Sequence, residues 1–252
     1  MDLQLAGRTA LVTGGSGAIG QAIARTLAAE GAPVAIGWHN NPDPAADLVQ
    51  SITAGGGRVC AVRLDQADPD TTAAGLRRVE AEFGSIDVLV AAAVSWPSLE
   101  PETRKSLADT LITNTVGTLS TVEGVLPGMR RRGWGRIVLI STDLVDQPMP
   151  YGTGYPAAKG AIEAAARVWA AREAGHGILT NVIRPGFTLT DTALTTPGLG
   201  QAAIDAESAR TPTAHICTPD DVASAVTCLA SGANGHINGE VLSIAGGRKL
   251  TR

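Results

Sequence analysis

Short apolar runs alternate with longer amphipathic segments along most of the chain. The runs are rich in Val, Ile, Leu and Ala at consecutive positions, a pattern typical of strands that are buried on both faces of a parallel sheet. They lie at residues 9–13, 34–38, 58–63, 88–92, 136–141, 179–183 and 241–244. Because helical segments separate these seven runs, we predict an α/β fold with a doubly wound, seven-stranded parallel sheet and helices on both faces.

The segments between the runs have the spacing of helices. Ile19, Ile23 and Leu27 recur every four residues and so share one helical face. Further helices are predicted at residues 43–54, 69–83, 102–132, 153–173 and 219–231. Residues 188–217 lack such a pattern, and a segment this long after a strand usually forms a lid or binding loop. We expect one domain over residues 1–252, with a substrate loop around 188–217.

Composition narrows the function classes. A net charge of −4 without a basic stripe argues against a nucleic-acid partner. No apolar run reaches the roughly 18 residues that a membrane span needs, and no signal peptide is visible. Cys60, Cys217 and Cys228 are odd in number and widely spaced, which favours buried, reduced thiols in a cytoplasmic protein. The four histidines are scattered, so no metal site is expected.

A glycine-rich turn follows the first predicted strand. The sequence Thr13-Gly14-Gly15-Ser16-Gly17-Ala18-Ile19-Gly20 contains both a G-x-G-x-x-G and a G-x-x-G-x-x-G spacing. Glycines permit a tight turn and allow backbone N–H groups to approach a pyrophosphate at a helix N-terminus. Between a strand and a helix, this turn predicts a dinucleotide site; the alternative is a tight turn without a ligand.

The end of the second strand bears on which dinucleotide binds. An NAD site usually places an acid about 20 residues past the glycines, to hold the ribose 2′-hydroxyl. Here Trp38 is followed by His39, Asn40 and Asn41, and no acid occurs before Asp43. These side chains could hydrogen-bond a 2′-phosphate, so we expect NADP(H) to be preferred over NAD(H). Trp38 either flanks the adenine or simply packs.

Tyr155 and Lys159 form the most informative pair in a chain with two tyrosines and three lysines. Pro156 suits the first turn of a helix, where an i, i+4 spacing brings both side chains to one face. A neighbouring ammonium favours the phenolate, which makes the phenol a better acid or base near neutral pH. A solvated lysine beside a half-buried tyrosine is the alternative.

Taken together, these motifs resemble the short-chain dehydrogenase/reductase family in its compact form of about this length, and within it the ketoacyl and ketone reductases. The resemblance covers residues 5–247 and implies a Rossmann fold. It implies a catalytic tetrad of Asn114, Thr142, Tyr155 and Lys159. Thr142 stands thirteen residues before Tyr155, where the family has serine. Ser141 is adjacent, but neighbouring strand residues point to opposite faces.

The resemblance also implies the residues that contact the cofactor. Asp65 would contact the adenine, and Thr190 the nicotinamide carboxamide. The implied set is Gly14, Ser16, Gly17, Ala18, Ile19, Gly20, Trp38, His39, Asn40, Asp65, Gln66, Ala91, Ala92, Ala93, Tyr155, Lys159, Pro185, Gly186, Thr188 and Thr190. The fourth strand departs from the family, because Ala91-Ala92-Ala93-Val94 replaces Asn-Asn-Ala-Gly. This change loses two polar side chains and a glycine beside the cofactor.

For the reaction, the resemblance implies hydride transfer between a nicotinamide and a carbonyl or alcohol. Thr142 would hold the carbonyl oxygen and Tyr155 would protonate it. Lys159 would lower the phenol's pKa and hold the ribose, while Asn114 would anchor a relay water. The alternatives are a non-redox dehydratase, epimerase or cyclase that uses Tyr155 as acid/base, and an idle cofactor-binding protein.

The substrate is expected to be a small carbonyl or alcohol compound. Segments that carry four residues are expected to border its pocket, namely Trp96, Met149, Pro150 and Tyr151. The resemblance further implies a homotetramer, or a homodimer, formed through the two long helices.

Overall fold

The structure is a computed structural model that describes residues 2–96, 101–150, 152–195 and 200–250. Tyr151 and part of the predicted substrate loop lie outside the described residues. Seven parallel strands form one sheet in the order β3-β2-β1-β4-β5-β6-β7. They are β1 Ala10–Thr13, β2 Val34–Trp38, β3 Val59–Arg63, β4 Val88–Ala91, β5 Gly135–Ile140, β6 Ile178–Pro185 and β7 Val241–Ile244. The predicted doubly wound parallel sheet is confirmed.

Both faces of the sheet are buried, which explains why the strands are apolar at consecutive positions. Successive residues of β1 enter different core clusters: Val12 packs with Ile23 and Leu27 on one face. Leu11 packs with Leu126 on the other. The β5–β6 register runs from Gly135 opposite Ile178 to Ile140 opposite Ile183.

Helices cover the two faces. They are α1 Ala18–Ala29, α2 Asp43–Ala54, α3 Pro69–Phe83, α4 Arg104–Leu111, α5 Thr118–Arg132, α6 Gly154–Glu173, α7 Asp191–Thr195, α8 Gln201–Arg210 and α9 Pro219–Ala230. Local sequence fixes several starts: Asp68 accepts hydrogen bonds from the backbone N–H groups of Asp70 and Thr71, and Thr218 forms a capping box with Asp221.

Three predictions need correction. The helix predicted at 102–132 begins at Arg104, because Thr103 caps it, and a π-helical segment at Ile112–Gly117 separates α4 from α5. The segment 188–217 is more ordered than a loop, since it contains α7 and α8. Of the cysteines, which are all free thiols, only Cys217 is buried.

The strand order creates the place where a ligand can bind. The chain leaves β1 toward β2 on one side and later returns to β4 on the other, so the connections diverge between β1 and β4. In open α/β sheets, ligands bind at the carboxyl ends of the strands beside such a switch point. None of the helices in the described part of the chain is long and apolar enough to cross a membrane.

Candidate active site

The glycine turn lies at the switch point, and two of its glycines are required by packing. Gly14 has a φ of +63°, and a Cβ there would lie 2.6 Å from Cα of Ala93. A Cβ at Gly20 would lie 2.2 Å from the carbonyl oxygen of Gly14. Gly17 differs, because it is exposed and a Cβ there would meet only the Gly14 oxygen at 3.5 Å. Packing therefore does not require glycine at position 17, whereas close approach of a ligand would.

The N-terminus of α1 has the donors that a pyrophosphate needs. No side chain of the described chain caps this helix, and its first turn contains no acid. The first backbone N–H groups of a helix have no partner within it and carry partial positive charge. Gly17 and Ala18 are exposed there, and Ser16 and Ile19 are half-buried. These residues fit the phosphates of a dinucleotide.

The ends of β2 and β3 meet where the adenosine half of a dinucleotide would lie. His39 Nε2 is 3.1 Å from Asp65 Oδ2, and Asp65 Oδ1 accepts a hydrogen bond of 2.9 Å from the Ala67 N–H. Trp38 is half-buried, and Asn40 is exposed. A carboxylate thus reaches this region from β3 although none follows β2 directly.

Gln66 points away from this surface. Its Nε2 donates to Thr118 Oγ1 at 3.1 Å, and its Oε1 is buried without a partner in the described structure. A cofactor contact from Gln66 therefore stays a prediction.

The alanine run after β4 keeps close contact with the glycine turn. The Ala93 N–H donates to Thr13 Oγ1 at 3.2 Å, Ala91 is buried, and Ala92 and Ala93 are half-buried. Because these contacts use the backbone, the departure from the family's asparagines leaves the wall of the cofactor cleft in place.

The end of β6 forms the opposite wall of the cleft. The Gly186 N–H donates to the carbonyl of Ile244 at 2.9 Å, and Thr188 Oγ1 donates to the Gly186 carbonyl at 2.8 Å. Thr190 Oγ1 accepts a bond of 3.1 Å from the Ala193 N–H at the start of α7. Pro185, which completes this predicted set, is buried.

Tyr155 lies beside Thr142, whose hydroxyl favours the phenolate. Thr142 is the second residue after β5, and Tyr155 lies buried in the first turn of α6. Burial raises the pKa of the phenol above its ordinary value, the charge of Asp143 raises it further, and the neighbouring Thr142 hydroxyl opposes both. The expected lowering of this pKa by Lys159 stays a prediction, since burial is the largest influence on the phenol.

Lys159 lies one turn beyond Tyr155 and is only 2% exposed. Its Nζ donates to the Ile140 carbonyl at 2.8 Å and lies 5.8 Å from the centroid of the Tyr155 ring. Burial lowers the pKa of this ammonium to about 8. The ammonium can thus lose its proton at a pH only slightly above neutral.

Asn114 is fully buried in the π-helical segment. Its Nδ2 donates to the Ser95 carbonyl, and its Oδ1 accepts from the Ser95 N–H, both at 2.8 Å. The next residue, Trp96, packs against Tyr155 with ring centroids 5.2 Å apart. All four predicted tetrad residues therefore lie at the carboxyl edge of the sheet. Asn114 is connected to Tyr155 through Ser95 and Trp96.

Two acids near the site were missed by sequence reasoning. Asp143 follows Thr142, and burial together with the charge of Glu207 raises its pKa to about 6. Glu102 accepts bonds of 2.8 and 2.7 Å from the N–H groups of Thr153 and Gly154, and so caps α6 from a distant segment. The position of Asp143 beside Thr142 was a usable signal, whereas nothing local in the sequence links Glu102 to α6.

Comparison with known proteins places the whole chain among oxidoreductases. The family described as enoyl-(acyl carrier protein) reductase matches residues 14–249. A cis-4-hydroxycyclohexanecarboxylate dehydrogenase from Sinomonas cyclohexanicum is 34% identical over 250 residues, which cover 98% of each chain. A 3-oxoacyl-(acyl-carrier-protein) reductase from Staphylococcus aureus is 31% identical over 242 residues, which cover 95% of this chain and 97% of the relative.

A solved structure has the same architecture. It is a gluconate 5-dehydrogenase from Burkholderia cenocepacia in complex with NADP and tartrate, which superposes with a TM-score of 0.89 at 29% identity. The match covers 100% of this chain and 98% of that one.

Proposed function

Since the chain belongs to the short-chain dehydrogenase/reductase family of oxidoreductases, we propose that it reduces a ketone or other carbonyl to an alcohol with NADPH. The observation that carries this proposal is that Thr142, Tyr155 and the buried Lys159 come together at the edge of the sheet where the glycine turn lies. Fold alone would not support a reaction, because one fold hosts many chemistries.

In the proposed mechanism, the chain orients the carbonyl and controls one proton. A bound nicotinamide would supply the hydride. Thr142 donates a hydrogen bond to the carbonyl oxygen, and Tyr155 donates its phenolic proton to that oxygen as negative charge develops. Lys159 stabilises the resulting phenolate and would hold the nicotinamide ribose, and Asn114 would anchor the water that returns a proton.

Loss of the phenolic proton tests this mechanism. Tyr155→Phe is expected to lower kcat at least a hundredfold, the scale of a lost acid–base group, while the Kd for NADPH, measured by fluorescence, stays within about threefold. Thr142→Ser should retain most of the activity and Thr142→Val should not, which separates the hydroxyl from the shape of the side chain. Full activity of Tyr155→Phe would rule the mechanism out.

The preference for NADP(H) is part of the proposal. His39 and Asn40 are exposed at the end of β2, where a 2′-phosphate would lie, and a similar solved structure is a complex with NADP. We expect His39→Asp to weaken NADPH binding at least tenfold and NADH binding much less, because a carboxylate repels a phosphate but accepts a ribose hydroxyl. Equal losses for both cofactors would contradict the preference.

We also propose that the chain forms a homotetramer, or a homodimer, through α4, α5 and α6. The π-helical segment and its neighbours expose Leu111, Ile112 and Val116, and α6 exposes Val168. Large apolar side chains in such a group are typical of protein contacts. A monomer mass in light scattering would contradict this proposal.

A further inference from the structure

Glu163 forms a buried ionic cluster that the proposed reaction does not use. It lies on α6 one turn beyond Lys159, and is 3% exposed. One carboxylate oxygen accepts hydrogen bonds from Ser141 Oγ at 2.5 Å and from Arg184 Nε at 2.6 Å. The other accepts from Arg184 Nη2 at 2.5 Å. A single carboxylate therefore joins three different elements, namely β5, α6 and β6.

Each partner of Glu163 is the immediate neighbour of a residue at the proposed site. Ser141 directly precedes Thr142, and Arg184 directly precedes Pro185. Arg184 also pairs with Asp146, which follows the single turn after Thr142. The segment around Thr142 is thus connected to the Glu163–Arg184 ion pair on both sides, through Ser141 before it and Asp146 after it.

Stability alone does not account for such a cluster. A buried ion pair gains little over well-packed apolar side chains, because desolvation of the two charges offsets their attraction. The same helix provides a comparison, since Glu173 is also fully buried and paired with Arg130 through bonds of 2.8 and 2.6 Å. That pair lies at the far end of α6 and connects α6 only to α5.

We propose that Glu163 is a positioning residue, which fixes α6 to the ends of β5 and β6 and thereby sets the position of Tyr155 relative to Thr142. This inference rests on the proposed function, because it assigns Glu163 to the same proton-donating site. Ser141 and Arg184 act through Glu163 and are positioning residues as well.

The cluster also affects the charge near the phenol. The charged groups that the structure places around Tyr155 are Lys159 and Asp143, and those around Glu163 are Arg184 and, through it, Asp146. Glu163→Gln removes one negative charge and leaves Arg184 less compensated. The added positive potential favours the phenolate, so the pKa of Tyr155 should fall.

The first experiment compares Glu163→Gln with Glu173→Gln, the same change on the same helix. For Glu163→Gln we expect a kcat at least tenfold lower. Tyr155 and Lys159 both lose a proton as pH rises, and the added positive potential lowers the pKa of both groups, so the alkaline limb of the pH profile should move down by roughly half a unit or more. Glu173→Gln should lower Tm but leave kcat and the limb unchanged. Wild-type kinetics in Glu163→Gln, or the same loss and shift in Glu173→Gln, would overturn the proposal.

A second variant covers the case in which Glu163→Gln does not fold. Ser141→Ala removes only the hydroxyl that connects the end of β5 to Glu163, and we expect about a three- to tenfold loss of kcat, the size of one ordinary hydrogen bond, with little change in Tm. An unchanged kcat in this variant would overturn the proposal.

A third readout does not depend on turnover. Replacing tyrosines by 3,5-difluorotyrosine lowers the phenol's pKa, and the Tyr151→Phe background leaves Tyr155 as the only ¹⁹F signal, because the chain has two tyrosines. The titration midpoint of Tyr155 should be lower with Glu163→Gln and unchanged with Glu173→Gln. If the wild type reduces no carbonyl, the proposed function fails, and this titration alone decides the role of Glu163: an unshifted midpoint overturns it.

Discussion

Strand β5 has a buried cation near each end, and the two are held in opposite ways. At the amino end, Arg136 is 5% exposed and donates to the carbonyls of Ser231, Gly135, Gly177 and Asn234 at 2.8–3.2 Å. Its guanidinium also lies 4.4 Å from the ring centre of Trp134. At the carboxyl end, the only hydrogen bond that Lys159 makes to the described chain is to the Ile140 carbonyl.

The difference shows which edge of the sheet serves stability and which serves chemistry. Burial lowers the pKa of Arg136 from 12.5 to about 10, a shift as large as that of Lys159, but the guanidinium stays charged and bonded at neutral pH because its ordinary pKa is higher. Burial lowers the pKa of Lys159 to about 8, which leaves an ammonium that is easily deprotonated. A poorly compensated buried charge lowers the free energy of unfolding. Groups with such perturbed pKa values are concentrated at functional sites.

Arg136→Met should cause the largest change in stability. Several buried carbonyl groups would lose their donor, and each such loss costs about 1–3 kcal/mol, so we expect unfolding in urea to show a loss of about 4 kcal/mol. Turnover at low temperature should change less than twofold. Arg8→Met is the matched control, because Arg8 covers the other side of Trp134 at 4.1 Å but is partly exposed. A loss of turnover in Arg136→Met without loss of stability would break the comparison.

Lys159→Met should change stability in the opposite direction, because it should raise the free energy of unfolding. The shift of its pKa from 10.5 to about 8 corresponds to roughly 3 kcal/mol against folding below pH 8. After loss of the bond to Ile140, a net gain of about 1–2 kcal/mol should remain, while kcat falls at least a hundredfold.

The pH dependence checks the cause of that gain. Between pH 8 and 10.5 the unfolded chain binds more protons at Lys159 than the folded chain, so wild-type stability should rise with pH. The advantage of Lys159→Met should therefore shrink over that window and reverse at its upper end. Lys105→Met, at a lysine that is 85% exposed, should show neither effect. A destabilised Lys159→Met would mean that the ammonium is better compensated than its contacts indicate.

The sequence predicts the fold well wherever local chemistry determines it. Helices α2 and α3 begin and end at the predicted residues, because proline, acids and glycines mark their ends. Helix α8 was missed, since Ile204 is its only buried residue and it has no apolar face to recognise. The π-helical segment was missed as well, because Asn114 forms its bonds with a distant residue, Ser95.

The candidate site likewise has a part that adjacent residues determine and a part that depends on distant contacts. The glycine turn recognises its ligand through backbone, so its motif can be read from adjacent residues. Ser141, Glu163 and Arg184 come together only through strand pairing and helix packing. Sequence reasoning therefore predicted that Ser141 points away from the reacting group, but not what it contacts there.

The smallest expected effect concerns a contact that stabilises the carboxyl edge of the sheet at a distance from the reacting atoms. Glu102 accepts hydrogen bonds from the N–H groups of Thr153 and Gly154, where α6 begins, and this bonding lowers the pKa of its carboxyl. Because a side-chain cap stabilises a helix N-terminus, Glu102→Ala should lower Tm by a few degrees, and Glu102→Gln, which keeps an acceptor, by less.

A lowered carboxyl pKa means that the stabilisation is present above its ordinary value and is lost as pH falls through the value in the folded chain. The gap in Tm between wild type and Glu102→Gln should therefore be largest near neutral pH and close at strongly acidic pH. Thermal melts across that range test this, with Glu80→Gln as a control on an exposed position of α3. If the gap persists in acid, the carboxylate charge is not what caps α6. If the gap closes, the charge of Glu102 anchors the first turn of α6, the helix that carries Lys159. The poorly compensated charge of Lys159 is then tolerated because the groups around it are well compensated.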